Sequence, residues 1–340
     1  MTRILVTGGA GFIGTAVSRR LLDAGCAVTV VDGLPTDRQV RNAAELARPA
    51  PASGRSSLPP GRSLAPPAGE LAGAELLQAD LAGLDLRRVL SRVDAVVHLA
   101  GSPGVQTSWA GGFARHLHGN VALAQRLLDA ALDTRVGRLV LASSSSVYGD
   151  TGTAAAHEDR GHAPISPYGA TKAAMELLVG AYAARGVPAV ALRYFTVYGR
   201  RQRPDMAVHR MIAAALGGTA FPLRGDGTQE RDLTHVDDVV AATLAALERP
   251  LRPGTVCNVG GGRPVPLHDV IDLVGRLTGN PVPTTRVSPA PGDPARTAAD
   301  IDRAAALLGW RPRVSLADGL RDQIAWQRQR SPLDLATAGA

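Results

Sequence analysis

The chain has 340 residues, a formal net charge of +7 and a sequence pI near 10.2, with hydrophobic residues at 45% and charged residues at 20%. This composition indicates a folded globular protein, and arginines spread along the chain without a Lys/Arg run argue against a nucleic-acid partner. Two cysteines are too few for a thiolate metal site and no long apolar segment opens the chain, so we expect no metal, no membrane contact and a cytoplasmic location.

Short apolar strands alternate with amphipathic helices in the first part of the chain. A strand at 4–6 leads into a glycine-rich turn at 8–14 and a helix that ends at Gly25, and a second strand follows at 27–32. Further strands are predicted at 95–99, 139–142 and 189–192, with helices at 115–132 and 168–184. Strands that alternate with helices predict an α/β fold with a doubly wound parallel sheet.

Composition changes at two places along the chain. Proline, alanine, serine and glycine dominate about residues 48–73, which we interpret as a mobile loop insertion, after which the sheet resumes at 75–80. From residue 198 onward, glycine and proline pairs separate shorter elements. We therefore predict a nucleotide-binding domain at 1–197, a smaller C-terminal substrate-binding lobe at 198–330 with return segments to the first domain, and a tail at 331–340.

The turn between the first strand and the first helix carries a Gly-x-x-Gly-x-x-Gly motif. Glycines in this setting let a pyrophosphate approach a helix N-terminus, where N–H groups and the macrodipole favour anions. The residues of the motif expected to bind the cofactor are Gly8, Gly11, Phe12, Ile13 and Gly14.

An acidic residue follows the motif at the distance expected for a dinucleotide. Asp32 ends the second strand 18 residues after Gly14, near the ~20-residue offset at which a carboxylate binds the adenosine ribose. A 2′-phosphate beside this carboxylate would meet a like charge. The combination predicts a Rossmann-type domain that binds NAD rather than NADP.

Tyr168 and Lys172 are four residues apart, which places them on one face of the helix predicted at 168–184. Lys172 is the only lysine among 37 basic residues, so this position resists a drift to arginine that affects the rest of the chain. A tyrosine of ordinary pKa near 10 needs nearby positive charge to act as a base at neutral pH. The pair therefore indicates a tyrosine base assisted by an ammonium group.

Hydroxyl groups cluster where the strand at 139–142 ends. Four consecutive serines, 143–146, precede Val147, Tyr148 and Gly149. The carboxyl ends of parallel strands form the ligand-binding edge of such a sheet. One of these serines can therefore hydrogen-bond a reacting hydroxyl group.

Together these motifs resemble the extended short-chain dehydrogenase/reductase superfamily, in its nucleotide-sugar epimerase and dehydratase branch. The resemblance implies that Tyr168 is the base, that Lys172 binds the nicotinamide ribose, and that Ser144 assists. It places further cofactor contacts at Asp80, Leu81, Leu99, Ala100 and Tyr194. It also places Arg231 on the nucleotide diphosphate and implies 4-epimerisation by transient oxidation at C4 of the sugar.

Two positions separate the members of this branch. Dehydratases of this branch, and the related decarboxylases, carry acidic residues at the positions where this chain has Ser145 and Ser146. By this resemblance, the chain lacks the acid that elimination or decarboxylation needs, and simple epimerisation is favoured. Thr196 and Arg203 resemble the pattern of UDP-glucuronate 4-epimerases. Arg203 can form a charge-assisted contact to a C6 carboxylate, supported by Ser145, Ser146 and Thr196; the alternative is a guanidinium that faces solvent or the diphosphate.

Other functions stay open at this point. A UDP-glucose or UDP-N-acetylglucosamine 4-epimerase would tolerate the loss of Arg203, and a UDP-glucuronate decarboxylase or nucleotide-sugar dehydratase is a further alternative. Arg224 stands where relatives carry an aromatic residue, which leaves thymine open as the base. A non-catalytic NAD-binding regulator is disfavoured by the retained Tyr-Lys pair. The resemblance also implies a homodimer through the helices at 115–132 and 168–184, although core packing explains their apolar stripes equally well.

Overall fold

The computed structural model describes residues 1–33, 35–48 and 73–329. The predicted insertion at 48–73, apart from its two end residues, and the predicted tail at 331–340 lie outside the described residues. The strands are β1 (Arg3–Thr7), β2 (Ala27–Asp32), β3 (Glu75–Gln78), β4 (Ala95–His98), β5 (Arg138–Ser144), β6 (Ala189–Tyr194), β7 (Thr196–Tyr198), β8 (Phe221–Arg224), β9 (Glu230–His235), β10 (Val256–Val259), β11 (Pro264–Pro266) and β12 (Thr284–Val287). The α-helices are α1 (Phe12–Asp23), α2 (Asp37–Leu46), α3 (Leu86–Leu90), α4 (Phe113–Leu117), α5 (Leu123–Leu132), α6 (Pro167–Ala183), α7 (Ala207–Ala215), α8 (Val236–Glu248), α9 (Leu267–Thr278), α10 (Asp302–Leu308) and α11 (Leu316–Arg328).

Seven strands form the main sheet, in the order β10-β6-β5-β4-β1-β2-β3. The pairs β1·β2, β1·β4, β2·β3 and β4·β5 are parallel, as expected for strands joined by helical crossovers. Alternate residues of β1 face opposite sides: Leu5 belongs to one hydrophobic cluster, whereas Ile4 and Val6 belong to another. Both faces of the sheet are therefore buried, and the prediction of a doubly wound α/β fold is confirmed.

The first compact unit contains residues 1–143, 171–192 and 240–256. One of its hydrophobic clusters packs α5 and the later turns of α6 against the sheet through Leu127, Leu128 and Met175. The other packs α1 on the opposite face through Val17 and Leu21. Apolar side chains at helical spacing produce both contacts.

The second compact unit contains residues 144–170, 193–239 and 257–340, of which the structure describes those up to 329. It holds a three-stranded sheet, β11-β9-β7, a two-stranded sheet, β12-β8, and a hydrophobic cluster formed largely by α7, α9 and α11. The two units alternate along the chain, and the functional division at residue 197 stays a prediction.

One predicted helix is interrupted. The stretch predicted at 115–132 consists of α4, a π-helical turn at His118–Ala122 and α5. Such π turns occur often at functional sites. Among the described residues, no helix has both the length and the hydropathy needed to cross a bilayer.

Candidate active site

The glycine-rich turn brings the ends of β1 and β4 together so closely that side chains are excluded. Gly8 has a φ of +68°, and a Cβ atom built on it would lie 2.7 Å from the backbone nitrogen of Ala100. A Cβ on Gly14 would lie 2.1 Å from the carbonyl oxygen of Gly8. Only glycine therefore fits at these two positions.

The same turn prepares the N-terminus of α1 for an anion. Gly11 is the N-cap residue and has no side chain, so the N–H groups of the first turn can point at a ligand. Phe12 is buried, Ile13 is half-buried, and Thr15 Oγ1 donates a 2.7 Å hydrogen bond to the carbonyl oxygen of Gly11. This arrangement fits the pyrophosphate of a dinucleotide.

Asp32 lies at the carboxyl end of β2 and is 5% exposed. Its Oδ2 accepts a 3.1 Å hydrogen bond from the backbone N–H of Ala10, and its Oδ1 accepts one of 3.0 Å from Gln39 Nε2. The carboxylate is thus anchored beside the glycine-rich turn. Its contact with the ribose stays a prediction.

The other predicted cofactor residues are placed by strand ends. Asp80 caps the 3₁₀ turn Leu81–Gly83 through a 2.9 Å hydrogen bond from the backbone N–H of Ala82 to its Oδ1. Leu81 is buried in the first unit, and Leu99 and Ala100 are half-buried immediately after β4. Tyr194 ends β6 in the second unit and is 6% exposed.

Lys172 is buried in the first unit, with its Nζ donating a 2.7 Å hydrogen bond to the carbonyl oxygen of Ala142. Burial lowers the pKa of this lysine to about 8, while the Glu176 carboxylate acts in the opposite direction. His98 is buried too, and burial together with the charge of Lys172 lowers its pKa to about 3. His98 is therefore neutral and Lys172 is largely charged at neutral pH.

Asn120 was not singled out from the sequence, yet it connects the π-helical turn to α6. Its Oδ1 accepts a hydrogen bond from the Ser102 backbone N–H, and its Nδ2 donates one of 3.0 Å to Thr171 Oγ1. Thr171 immediately precedes Lys172. The available sequence signal was Gly119-Asn120 inside the predicted helix, two residues of low helix propensity.

In the second unit, Tyr168 and Ser144 are brought together. The phenol forms a hydrogen bond with the Ser144 side chain, whose Oγ also accepts a 3.1 Å bond from the Ser146 backbone N–H. Burial raises the pKa of Tyr168, and both the Ser144 hydrogen bond and the charge of Arg203 counteract that rise. The Tyr168 phenol is therefore protonated, forms a hydrogen bond with a hydroxyl group, and is close enough to the Arg203 guanidinium for its charge to act on the phenol.

Arg203 is close enough to Tyr168 to act on its ionisation, and its side chain is 25% exposed. Its Nε and Nη2 donate hydrogen bonds of 2.9 and 2.7 Å to the two carboxylate oxygens of Asp205. Thr196, at the start of β7, is half-buried, as are Ser145 and Ser146. Arg203 thus already has the bidentate geometry that binds a carboxylate, with Asp205 as its partner.

Arg231, on β9, is also paired with a carboxylate in the second unit, but through one nitrogen only. Its Nη2 lies 2.5 Å from Asp293 Oδ1, and its Nη1 donates to the carbonyl oxygen of Glu230. Arg224, on β8, donates a 3.4 Å hydrogen bond to the carbonyl oxygen of Ser288. The diphosphate contact predicted for Arg231 stays a prediction.

Comparison with known proteins gives a consistent result. The NAD dependent epimerase/dehydratase family matches residues 4–260. An uncharacterised UDP-glucose epimerase of Bacillus subtilis (strain 168) is 37% identical over 330 residues, covering 95% of this chain and 97% of the relative. A UDP-glucuronate 4-epimerase of Thermodesulfobacterium geofontis (strain OPF15) is 34% identical over 338 residues, covering 97% of each chain.

A solved structure is similar over the same length. The UDP-glucuronic acid 4-epimerase of Bacillus cereus, in complex with UDP-glucuronic acid and NAD, superposes with a TM-score of 0.85 at 36% identity. The superposition covers 96% of this chain and 99% of that protein. The resemblance inferred from the motifs is therefore confirmed over nearly the whole chain.

Proposed function

The chain belongs to the NAD-dependent epimerase/dehydratase family, and from this premise we propose that it is a 4-epimerase that converts UDP-glucuronate to UDP-galacturonate. NAD is its cofactor, as the family requires. The observation that carries the proposal is the hydrogen bond between Ser144 and Tyr168, with Arg203 close enough to stabilise the phenolate. These groups supply a base, a hydroxyl partner and an anion-binding guanidinium in one unit.

Tyr168, Ser144 and Lys172 each have a different role in the proposed proton transfer. Tyr168 accepts the proton of the sugar 4-hydroxyl, and Ser144 hydrogen-bonds the same oxygen. Because burial raises the pKa of Tyr168, added positive charge is needed to make the phenolate accessible near neutral pH. By resemblance to the family, we expect Lys172, four residues further along α6, to supply part of that charge. NAD, when bound, would oxidise C4 of the sugar and later return the hydride to it. Between these two steps the 4-keto sugar would rotate, so that its opposite face receives the hydride.

The proposal favours epimerisation over elimination or loss of carbon dioxide. Ser145 and Ser146 occupy the turn after β5, and neither can act as the carboxylic acid that a 4,6-dehydratase employs. UDP-glucuronic acid is the ligand of the Bacillus cereus structure. The guanidinium of Arg203 near Tyr168 supports a uronic acid as the substrate, because it could bind a C6 carboxylate close to the proposed base.

A neutral UDP-sugar is the second candidate, and one observation favours it. Asp205 already occupies the donors of Arg203 that a C6 carboxylate would need. If that ion pair persists when substrate binds, a hydroxymethyl group fits the site better than a second carboxylate does. The Bacillus subtilis relative is named for UDP-glucose.

The substrate test combines a substrate panel with one substitution. We expect the parent protein to epimerise UDP-glucuronate in preference to UDP-glucose and UDP-N-acetylglucosamine, as followed by proton NMR without added NAD. Loss of one charged hydrogen-bonding partner in Arg203→Ala should lower kcat/KM for UDP-glucuronate about 10- to 100-fold. Activity toward neutral sugars should fall less, because these substrates lose only the effect of Arg203 on the Tyr168 phenolate.

Arg200→Ala is the matched control, because Arg200 lies three residues before Arg203 and also forms an ion pair with an aspartate, Asp322. It should leave the preference unchanged. Parallel losses on acidic and neutral sugars in Arg203→Ala would exclude a carboxylate-specific role. If the parent protein converts a neutral UDP-sugar and not UDP-glucuronate, that sugar replaces UDP-glucuronate as the proposed substrate, and the proposed mechanism is kept.

We also propose a homodimer in the cytoplasm. In the first unit, exposed apolar side chains lie on the segment before the π-helical turn and on α6: Trp109, Phe113, Leu117 and Leu177. Leu177 is 66% exposed, which is unusual for a leucine on a helix this apolar. A second copy of the chain would bury this surface.

Leu177→Glu is expected to shift the protein from dimer to monomer, because it places a charge at the most exposed of these four apolar side chains. Light scattering after size exclusion should then give a mass near the chain mass of 35.2 kDa. Leu307→Glu is the control, since Leu307 is 44% exposed on α10 in the second unit. A parent that is already monomeric would overturn the dimer.

A further inference from the structure

Glu176 is a buried carboxylate that the proton transfer described above does not use. It lies on α6, one helical turn after Lys172, and is only 5% exposed. The hydroxyl group of Ser143 donates a hydrogen bond to its Oε1. Because an unpaired buried carboxylate is costly, a charged Glu176 in this position requires both hydrogen bonds and a nearby cation.

Two consecutive residues of β5 contact two residues one turn apart on α6. The carbonyl oxygen of Ala142 accepts the 2.7 Å hydrogen bond from Lys172, and Ser143 donates to Glu176. These two contacts fix the register between the strand end and the helix. Ser144, the predicted catalytic serine, is the next residue along the chain.

Three elements of the first unit, β4, β5 and α6, place polar or titratable groups around Lys172. From β4, His98 faces it as a neutral ring, whose Nδ1 lies 2.7 Å from Thr7 Oγ1. From β5, the Ala142 carbonyl and the Ser143 hydroxyl carry no charge. From α6 itself, Glu176 is the carboxylate that favours the ammonium form, against the opposing effect of burial.

We propose that Glu176 is a positioning residue for Lys172: its carboxylate, held by Ser143, keeps the lysine charged and fixed at the end of β5. This inference rests on the proposed role of Lys172 in catalysis. Without Glu176, burial alone would act on the ammonium group and favour its neutral form. Lys172 would then lose its charge within the range of pH at which the enzyme works.

The absence of any other lysine makes a direct test feasible. Protein labelled with lysine carrying ¹⁵N at Nζ gives one lysine side-chain signal, whose titration reports the pKa of Lys172 without any need for turnover. In Glu176→Gln, which keeps the size and removes the charge, the midpoint should fall by about one pH unit or more. Ser143→Ala keeps the charge and should lower the midpoint by less.

Glu75→Gln is the matched control. Glu75 also accepts a hydrogen bond from a hydroxyl group, Thr29 Oγ1, but it lies on the edge strand β3, about 19 Å from β5 at the usual spacing of strands. It should leave the lysine midpoint unchanged. An unchanged midpoint in a folded Glu176→Gln protein, or an equal change in the control, would overturn the inference.

The pH profile of turnover provides the second readout. In Glu176→Gln the alkaline limb of kcat should move to lower pH by the same interval as the lysine midpoint, with little change in KM. A uniform loss of kcat at every pH would indicate damage to structure instead. If the parent converts no UDP-sugar but the lysine midpoint still falls in Glu176→Gln, the proposed function fails while the electrostatic pairing stands.

Discussion

Replacing Tyr168 with phenylalanine is expected to lower epimerase turnover about 1000-fold, the scale on which positioned general bases contribute. The substitution removes the hydroxyl group that forms the hydrogen bond with Ser144 and leaves the ring in place. Bound NAD should be retained, because the glycine-rich turn and Asp32 are unaffected. Single-turnover reduction of the bound cofactor, followed by absorbance at saturating UDP-sugar, separates a slow chemical step from weak binding.

Tyr182→Phe provides a control on the same helix. The Tyr182 hydroxyl accepts a 2.8 Å hydrogen bond from Gln125 and donates one of 3.3 Å to Asp129, in the first unit. Its removal should cost stability about as much as one hydrogen bond, ~1 kcal/mol, and leave turnover near that of the parent. Full activity in Tyr168→Phe would refute the assignment of the base.

Gly14→Ala is expected to abolish NAD binding and to lower the melting temperature. The new methyl group would lie 2.1 Å from the carbonyl oxygen of Gly8, an overlap with backbone atoms that no rotamer change relieves. Either the glycine-rich turn or the first turn of α1 must move, and both face the predicted pyrophosphate. Cofactor content of the purified protein, measured by absorbance and mass spectrometry after denaturation, should fall below detection.

Gly180→Ala is the corresponding control, because it makes the same change within a helix. No heavy atom outside its own helix lies within 4 Å of a Cβ built on Gly180. Alanine is the better helix former, so stability should rise by about 0.5–1 kcal/mol and NAD content should not change. If Gly14→Ala retains the cofactor, the turn is not the pyrophosphate site.

The elements of the nucleotide-binding part were predictable because their signals are local. The strands β1, β2 and β4 lie within one residue of the predicted segments, since each consists mainly of Val, Ile, Leu and Ala. The π-helical turn inside the helix predicted at 115–132 was not predicted. Apolar periodicity barely changes over five residues, and the turn is held by tertiary bonds of Asn120.

The candidate site was predictable where spacing alone places the groups. Gly8 and Gly14 were predicted from the glycine motif, and Asp32 from its distance of 18 residues after Gly14. Tyr168 and Lys172 were predicted from their four-residue spacing on a helix. The resemblance implied that Ser144 assists the tyrosine base, and the structure adds a hydrogen bond between Ser144 and Tyr168 that was not predicted. The partners of the two predicted substrate arginines, Asp205 and Asp293, were not foreseen.

The fold class, the NAD-binding motif and the Tyr-Lys pair could be inferred from the amino-acid sequence, because they depend on residue spacing within one strand, turn or helix. Which polar and charged groups meet depends on the packing of distant segments: Asp293 contacts Arg231 from 62 residues away, and Glu176 contacts Ser143 from 33 residues away. Hydrophobic periodicity in a sequence indicates which side chains are buried, but it does not indicate which polar groups contact one another. We expect the protonation of Lys172 to depend on such a neighbour, because burial lowers the pKa of the lysine and the Glu176 carboxylate acts in the opposite direction.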